Sequence, residues 1–81
     1  MTARVYTGDI RRQLPRTGRS AYTIRQDSPR TIRVSRDGPS ARVWLEMLAA
    51  RLQRDGYSTE LQEPTAIRPL RLRITRKHAR T

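Results

Sequence analysis

The sequence predicts an α+β domain, in which a small antiparallel sheet of four strands carries one main helix on one face, in the order β-β-α-β-β. Three observations predict this fold. Four short segments alternate apolar and polar side chains, as half-buried strands do. One segment between the second and third of them repeats its apolar residues at spacings of three and four. Finally, 81 residues have room for one core, so residues 1–81 are expected to form a single domain.

The two ends of the chain carry the weaker signals. Residues 3–7 alternate briefly and would add a fifth strand in front of the other four. Residues 8–19 contain two glycines, a proline and four arginines without a sustained period, which predicts a basic loop or arm. Residues 77–81 are expected to form a flexible basic tail.

The first two strands are predicted to form a hairpin. Tyr22 and Ile24 alternate with polar residues, and Ile32 and Val34 repeat the pattern. Between them lies "DSPR" (27–30), whose Asp, Ser and Pro are typical turn residues. We therefore expect an antiparallel pair.

The main helix is predicted between Asp37 and Gly56. Asp37 offers an oxygen for capping the first turn, and Gly56 lies where a left-handed residue would end the helix. The apolar residues between them form one stripe, which is expected to cover the sheet and consists of Ala41, Trp44, Leu45, Leu48 and Leu52.

The last two strands follow the helix. Residues 57–62 place Tyr57, Thr59 and Leu61 on one side, and residues 63–69 contain two prolines and are expected to connect to the final strand. That strand lies in "RPLRLRITRK" (68–77). One helix covers one side of a sheet, so the apolar strand residues should face it: Tyr22, Ile24, Ile32, Val34, Leu61, Leu70, Leu72 and Ile74.

The opposite side of the sheet is predicted to be rich in arginine. Because strand side chains alternate, Thr23, Thr31, Thr75 and Glu60 should face outward together with the candidate nucleic-acid-binding residues Arg25, Arg33, Arg71 and Arg73. The chain carries a net charge of +11, and 17 of its 18 basic residues are arginine. Four arginines of the predicted basic arm are expected to add auxiliary contacts: Arg11, Arg12, Arg16 and Arg19.

These charges favour a polyanionic partner. A phosphate backbone laid across the face would relieve the repulsion between guanidinium groups and release counterions. The outward positions hold no aromatic side chain for stacking bases, so we favour DNA over RNA. The hypothesis is a small basic regulatory or accessory protein that grips the phosphate backbone. The alternative is a protein-interaction module, an inhibitor or adaptor, that docks on an acidic protein.

A second apolar stripe lies on the helix side that faces away from the core. Val43, Met47 and Ala50 occupy it, and with Trp44 they form a candidate partner interface. The N-terminal segment, a second copy in a homodimer, or a different protein would cover it. A dimer suits DNA recognition because two-fold symmetry doubles the phosphate contacts.

The residue inventory argues against catalysis and against a metal or cofactor. There is no cysteine, and the one histidine, His78, lies in the charged tail. Acidic residues are scattered, and no glycine-rich phosphate loop is present. We expect no enzyme, with a nuclease as a third interpretation. The sequence has no apolar run typical of a signal peptide or a membrane span, which predicts a cytoplasmic protein without a membrane partner.

Overall fold

The structure is a computed structural model that describes residues 5–76. Along the chain its elements are α1 (Thr7–Gln13), a 3-10 turn (Arg19–Ala21), β1 (Tyr22–Ser28), β2 (Thr31–Arg36), α2 (Ala41–Arg54), β3 (Tyr57–Gln62) and β4 (Arg71–Arg76). The predicted α+β fold with the order β-β-α-β-β is confirmed, and a short helix precedes it. Residues 1–4 and the predicted tail 77–81, with His78, lie outside the described residues.

The four strands form one antiparallel sheet in the order β1-β2-β4-β3. The predicted β1–β2 hairpin is confirmed, with Pro29 in its turn. β4 returns between β2 and β3, so that Ile24, Val34, Leu72 and Leu61 lie opposite one another across the whole sheet. This apolar row is the side that the main helix covers.

The core lies between the sheet and α2. The predicted stripe of α2 is confirmed, with Leu45, Leu48 and Leu52 buried and Ala41 and Trp44 partly buried. The predicted strand residues face it. Among them, Ile24, Leu61 and Leu70 are partly buried, and the rest are buried: Tyr22, Ile32, Val34, Leu72 and Ile74.

The start of α2 differs from the prediction. Asp37 was expected to cap the helix, but Ser40 precedes its first residue, with φ at 62° and no side-chain capping hydrogen bond. The backbone N–H of Asp37 instead donates to the carbonyl oxygen of Ala21 at 2.9 Å, which ties the β2–α2 connection to the start of β1. The predicted end is confirmed, because Gly56 adopts φ 92°.

The prediction of a loop over residues 8–19 is wrong for its first half. Thr7–Gln13 forms α1, and Ile10 is buried in the core together with Leu14, four residues later. Two apolar residues one turn apart give too short a pattern to predict a helix, and α1 forms because it packs on α2 and β1. Within residues 5–76, no helix is long and apolar enough to cross a membrane.

The predicted fifth strand over residues 3–7 is also absent where the structure describes the chain, from Val5 onward. Val5 is fully buried but lies outside the sheet. Its N–H donates to the carbonyl oxygen of Pro29 at 2.9 Å, and its own carbonyl accepts from Nε2 of Gln26 at 2.9 Å. These two hydrogen bonds satisfy both backbone polar groups of Val5 at the hairpin, so Val5 has no free group to pair with a strand.

Candidate nucleic-acid interface

Three arginines form a row across the outward side of the sheet, which we call the arginine face. Arg25 on β1 lies opposite Arg33 on β2, and Arg33 lies opposite Arg73 on β4. Glu60 on β3 lies opposite Arg73 and ends the row. Neighbouring strands are about 4.8 Å apart, so the three arginines occupy adjacent positions. The repulsion between their positive charges is unfavourable unless an anion offsets it. Arg71 joins the same face two residues before Arg73.

Two carboxylates neutralise part of this face. The Asp27 carboxylate contacts Nε of Arg33, and both side chains are less than a third exposed, at 28% and 31%. Glu60 is a looser partner, since its Oε1 lies 4.0 Å from Nη1 of Arg73 and both groups are well exposed. Asp27 was predicted only as a turn residue, and its position beside Arg33 is a correction to that prediction. Arg25 and Arg71 have no carboxylate partner within residues 5–76.

The connection between β3 and β4 folds over one end of the arginine face. Its start is held by the side chain of Arg42 on α2, whose Nη1 donates to Oε2 of Glu63 at 2.8 Å. This hydrogen bond and the opposite charge raise the pKa of Arg42, and the hydrogen bond lowers the pKa of Glu63. Further along, the N–H of Thr65 donates to the carbonyl oxygen of Arg68 at 2.9 Å, which closes a tight turn. Ile67 at this turn is 96% exposed.

A cleft of about 350 Å³ opens between this connection and the arginine face, and we call it the loop cleft. Four of its lining residues are arginines, and none carries a carboxylate. The lining residues are Thr23, Arg25, Arg33, Val34, Ser35, Ile67, Arg68, Pro69 and Arg71. A concave surface lined by one sign of charge concentrates the local potential, so the loop cleft is suited to an anion.

Arg71 is the arginine most affected by this crowding. Partial loss of hydration lowers its pKa, and the nearby positive charges of Arg33 and Arg68 lower the pKa further. The carboxylate of Asp27 raises the pKa and offsets part of this effect. An arginine remains protonated at neutral pH despite such a shift, so the cleft keeps its positive charge. Nε of Arg71 donates to Oε1 of Gln62 at 2.5 Å, and this bond orients the guanidinium group on the face.

The structure does not bring the predicted auxiliary arginines to the arginine face. Arg11 and Arg12 are exposed on α1, which packs on α2 on the opposite side of the sheet. Arg16 is exposed in the loop after α1. Arg19 donates from Nε to the carbonyl oxygen of Pro15 at 3.3 Å and from Nη2 to that of Leu14 at 3.3 Å, so it braces the loop.

The predicted partner interface on α2 remains partly exposed in residues 5–76. Val43 and Met47 are 53% and 57% exposed, and Ala50 is exposed beside them. Trp44 is half-buried, and the guanidinium carbon of Arg36 lies 5.0 Å from the centre of its ring. α1 packs beside this surface without covering it, leaving a shallow groove of about 80 Å³ next to Met47.

Sequence reasoning missed two residues of the loop cleft, Arg68 and Ile67. Both belong to a connection without periodic pattern, so alternation assigned them to neither face. The available signal was local: Arg68 lies three residues before Arg71, and Pro69 between them stops the strand from extending backward.

Comparison with protein-family models, with curated proteins and with solved structures finds no significant match to this chain. Among residues 5–76, no group of three or more histidine, cysteine or acidic side chains is placed to hold a metal ion.

Proposed function

We propose that this protein binds nucleic acid, with DNA favoured over RNA, as a small regulatory or accessory factor that grips the phosphate backbone through the arginine face. The observation that carries the proposal is the row of Arg25, Arg33 and Arg73 beside Arg71. Two carboxylates partly offset it, and the remaining surplus fits a polyanion.

The type of nucleic acid follows from what the face contains. Outward positions of β1 to β4 within the described chain carry arginine, threonine, serine, acidic and amide side chains, with no aromatic ring. Single-strand binders of this size usually stack bases on aromatic rings. Contact with phosphates of a duplex requires only the guanidinium and hydroxyl groups present here.

The test is fluorescence anisotropy with a 20-base-pair DNA duplex, the matching single strand and an RNA duplex, between 50 and 200 mM salt. We expect duplex affinity to fall steeply with salt. The double variant Arg25→Gln, Arg73→Gln should flatten the slope of log K against log salt by about 1.8, because each phosphate contact contributes about 0.9. No duplex binding at 50 mM salt would refute the proposal.

The matched control is Arg11→Gln, Arg12→Gln, which removes the same charge from α1. If both double variants lose the same affinity, net charge rather than the arginine face drives binding. The control also tests whether these two arginines contribute the auxiliary contacts that the sequence predicts. Intact substrate after incubation with the unmodified protein would separate binding from nuclease activity.

A second candidate function is docking on an acidic protein. The observation that favours it is the exposure of Val43 and Met47 on α2, where a solitary helix normally carries charges. It predicts that Met47→Ser abolishes partner binding and leaves duplex binding unchanged.

A further inference from the structure

The loop cleft differs from the rest of the arginine face in its charge balance. Arg33 and Arg73 in the row have carboxylate partners, whereas Arg25, Arg68 and Arg71 have none among residues 5–76, and all three line the cleft. The unneutralised part of the face is therefore gathered at one end, in a concavity. Positive potential is strongest where such charges converge on a low-dielectric wall.

Arg68 supplies a second observation. Its Nε atom is buried and has no hydrogen-bond partner. A buried donor without an acceptor is unfavourable, and a small rotation of the Arg68 side chain toward an anionic oxygen in the cleft would satisfy it. Arg71 supports the same ligand: partial loss of hydration lowers its pKa most and the charges of Arg33 and Arg68 lower it further, while the carboxylate of Asp27 raises it. A bound anion would add to the effect of Asp27.

The size and the rim of the cleft indicate more than a bare ion. Its volume of about 350 Å³ lies at the small end of the range for small-molecule sites. Ile67 and Pro69 line it beside the arginines, and Ile67 is 96% exposed. An apolar rim next to a cluster of guanidinium groups matches the alternation of sugar and phosphate in a nucleotide unit.

We infer that the loop cleft binds one phosphate group of a nucleotide unit, with Arg25, Arg68 and Arg71 around the phosphate and Ile67 against the attached sugar. The inference rests on the proposed function, because the phosphate is taken to be a phosphodiester of the bound strand. It adds Arg68 and Ile67 to the interface and makes the cleft the point that fixes the position of the strand on the sheet.

Nuclear magnetic resonance of the arginine Nε–H groups provides a direct test. The probes are inorganic phosphate, thymidine monophosphate, and thymidine as the uncharged control. The expected result is a downfield shift of the Arg68 Nε–H signal with thymidine monophosphate, a weaker response to inorganic phosphate and none to thymidine. Ile67→Ser should bring the affinities for the nucleotide and for inorganic phosphate together, because it removes only the apolar contact.

Duplex titrations distinguish this inference from the proposed function. Arg68→Gln should weaken duplex binding and flatten the salt slope by about 0.9, one phosphate contact, while Arg54→Gln at the end of α2 should not. The inference is overturned, and the proposed function stands, if the duplex binds and depends on Arg25 and Arg73 but Arg68→Gln behaves as Arg54→Gln. The Arg68 Nε–H signal of the unmodified protein would then also stay in place when thymidine monophosphate is added.

Two further outcomes are equally decisive. Equal affinity of the unmodified protein for inorganic phosphate and for thymidine monophosphate overturns the assignment to a nucleotide unit. Absence of duplex binding at 50 mM salt, read in the separate titration, overturns the proposed function. Arg68 lies in a connection and its side chain is outside the core, so Arg68→Gln should fold. The spectra of the variant show whether it does.

Discussion

Asp27 is the side chain whose removal best tests how the arginine face works. It contacts Arg33, the middle member of the row, which is flanked by Arg25 and Arg73. A phosphate that approaches Arg33 must compete with this carboxylate. We therefore expect Asp27→Asn to strengthen duplex binding while it destabilises the fold, two effects of opposite sign from one substitution.

The size of both effects follows from the geometry. A carboxylate that holds the position beside Arg33 lies within about 7 Å of a phosphate bound there, and two unit charges at that distance in water repel by ~0.6 kcal/mol, or roughly threefold in affinity. Freeing Arg33 for one more phosphate contact should steepen the salt slope by about 0.9. The loss of a partly exposed ion pair costs up to about 1 kcal/mol of unfolding free energy, and Arg33 is then left between two like charges.

The assay is duplex anisotropy between 50 and 200 mM salt, combined with urea denaturation. Asp9→Asn is the matched control, because it removes the same charge from an ion pair with Arg12 on α1, away from the sheet face. We expect the control to change affinity by less than Asp27→Asn does. Duplex binding that weakens in Asp27→Asn, or that rises equally in both variants, would show that Arg33 does not contact phosphate.

Three further predictions concern the fold. Ile10→Ala should lower the unfolding free energy by about 2–5 kcal/mol, because Ile10 is fully buried, whereas the exposed Met47→Ala should change it by less than about 0.5 kcal/mol; equal urea midpoints would mean that α1 does not pack. Gly56→Ala should cost about 1–2 kcal/mol, since φ of 92° is left-handed and only the backbone conformation opposes the added methyl group; an unchanged thermal midpoint would contradict this. The pKa of Glu63 is lowered from its ordinary value of 4.5 by the hydrogen bond with Arg42, so the small stability difference from Glu63→Gln should be present above pH 4.5 and disappear as the pH falls through the lowered value. A difference that grows on acidification would contradict that sign.

The strands and the main helix were predictable because each repeats its pattern several times. β2 alternates twice with Ile32 and Val34, and α2 repeats its stripe through Leu45, Leu48 and Leu52. α1 offers a single repeat, Ile10 and Leu14, between glycine and proline, so its helical form depends on packing that the sequence does not display. The same holds for the missed cap, since the backbone N–H of Asp37 donates to the carbonyl oxygen of Ala21, which lies far away in the sequence in the 3-10 turn before β1.

The arginine face was predictable only in part. Alternation indicates which side chains share a face, but not which strands are neighbours. The order β1-β2-β4-β3 is what sets Arg33 between Arg25 and Arg73 and places Glu60 at the end of the row. The loop cleft is even less predictable from the sequence, because it depends on how the eight-residue connection 63–70 folds back over β2.

Carboxylates are distributed unevenly over the arginine face, so its two ends differ in net charge. Asp27 and Glu60 offset the central row, where three arginines would otherwise repel one another at cross-strand spacing. Among residues 5–76, Arg68 and Arg71 at the other end have no carboxylate within ion-pair distance, and loss of hydration and neighbouring arginines lower the pKa of Arg71 more than the charge of Asp27 raises it. Concentrating like charges in a concavity has an electrostatic cost that solubility alone does not require. The cost is understandable if an external anion occupies the loop cleft, and this is why the cleft, more than the row, should determine where a phosphate backbone settles.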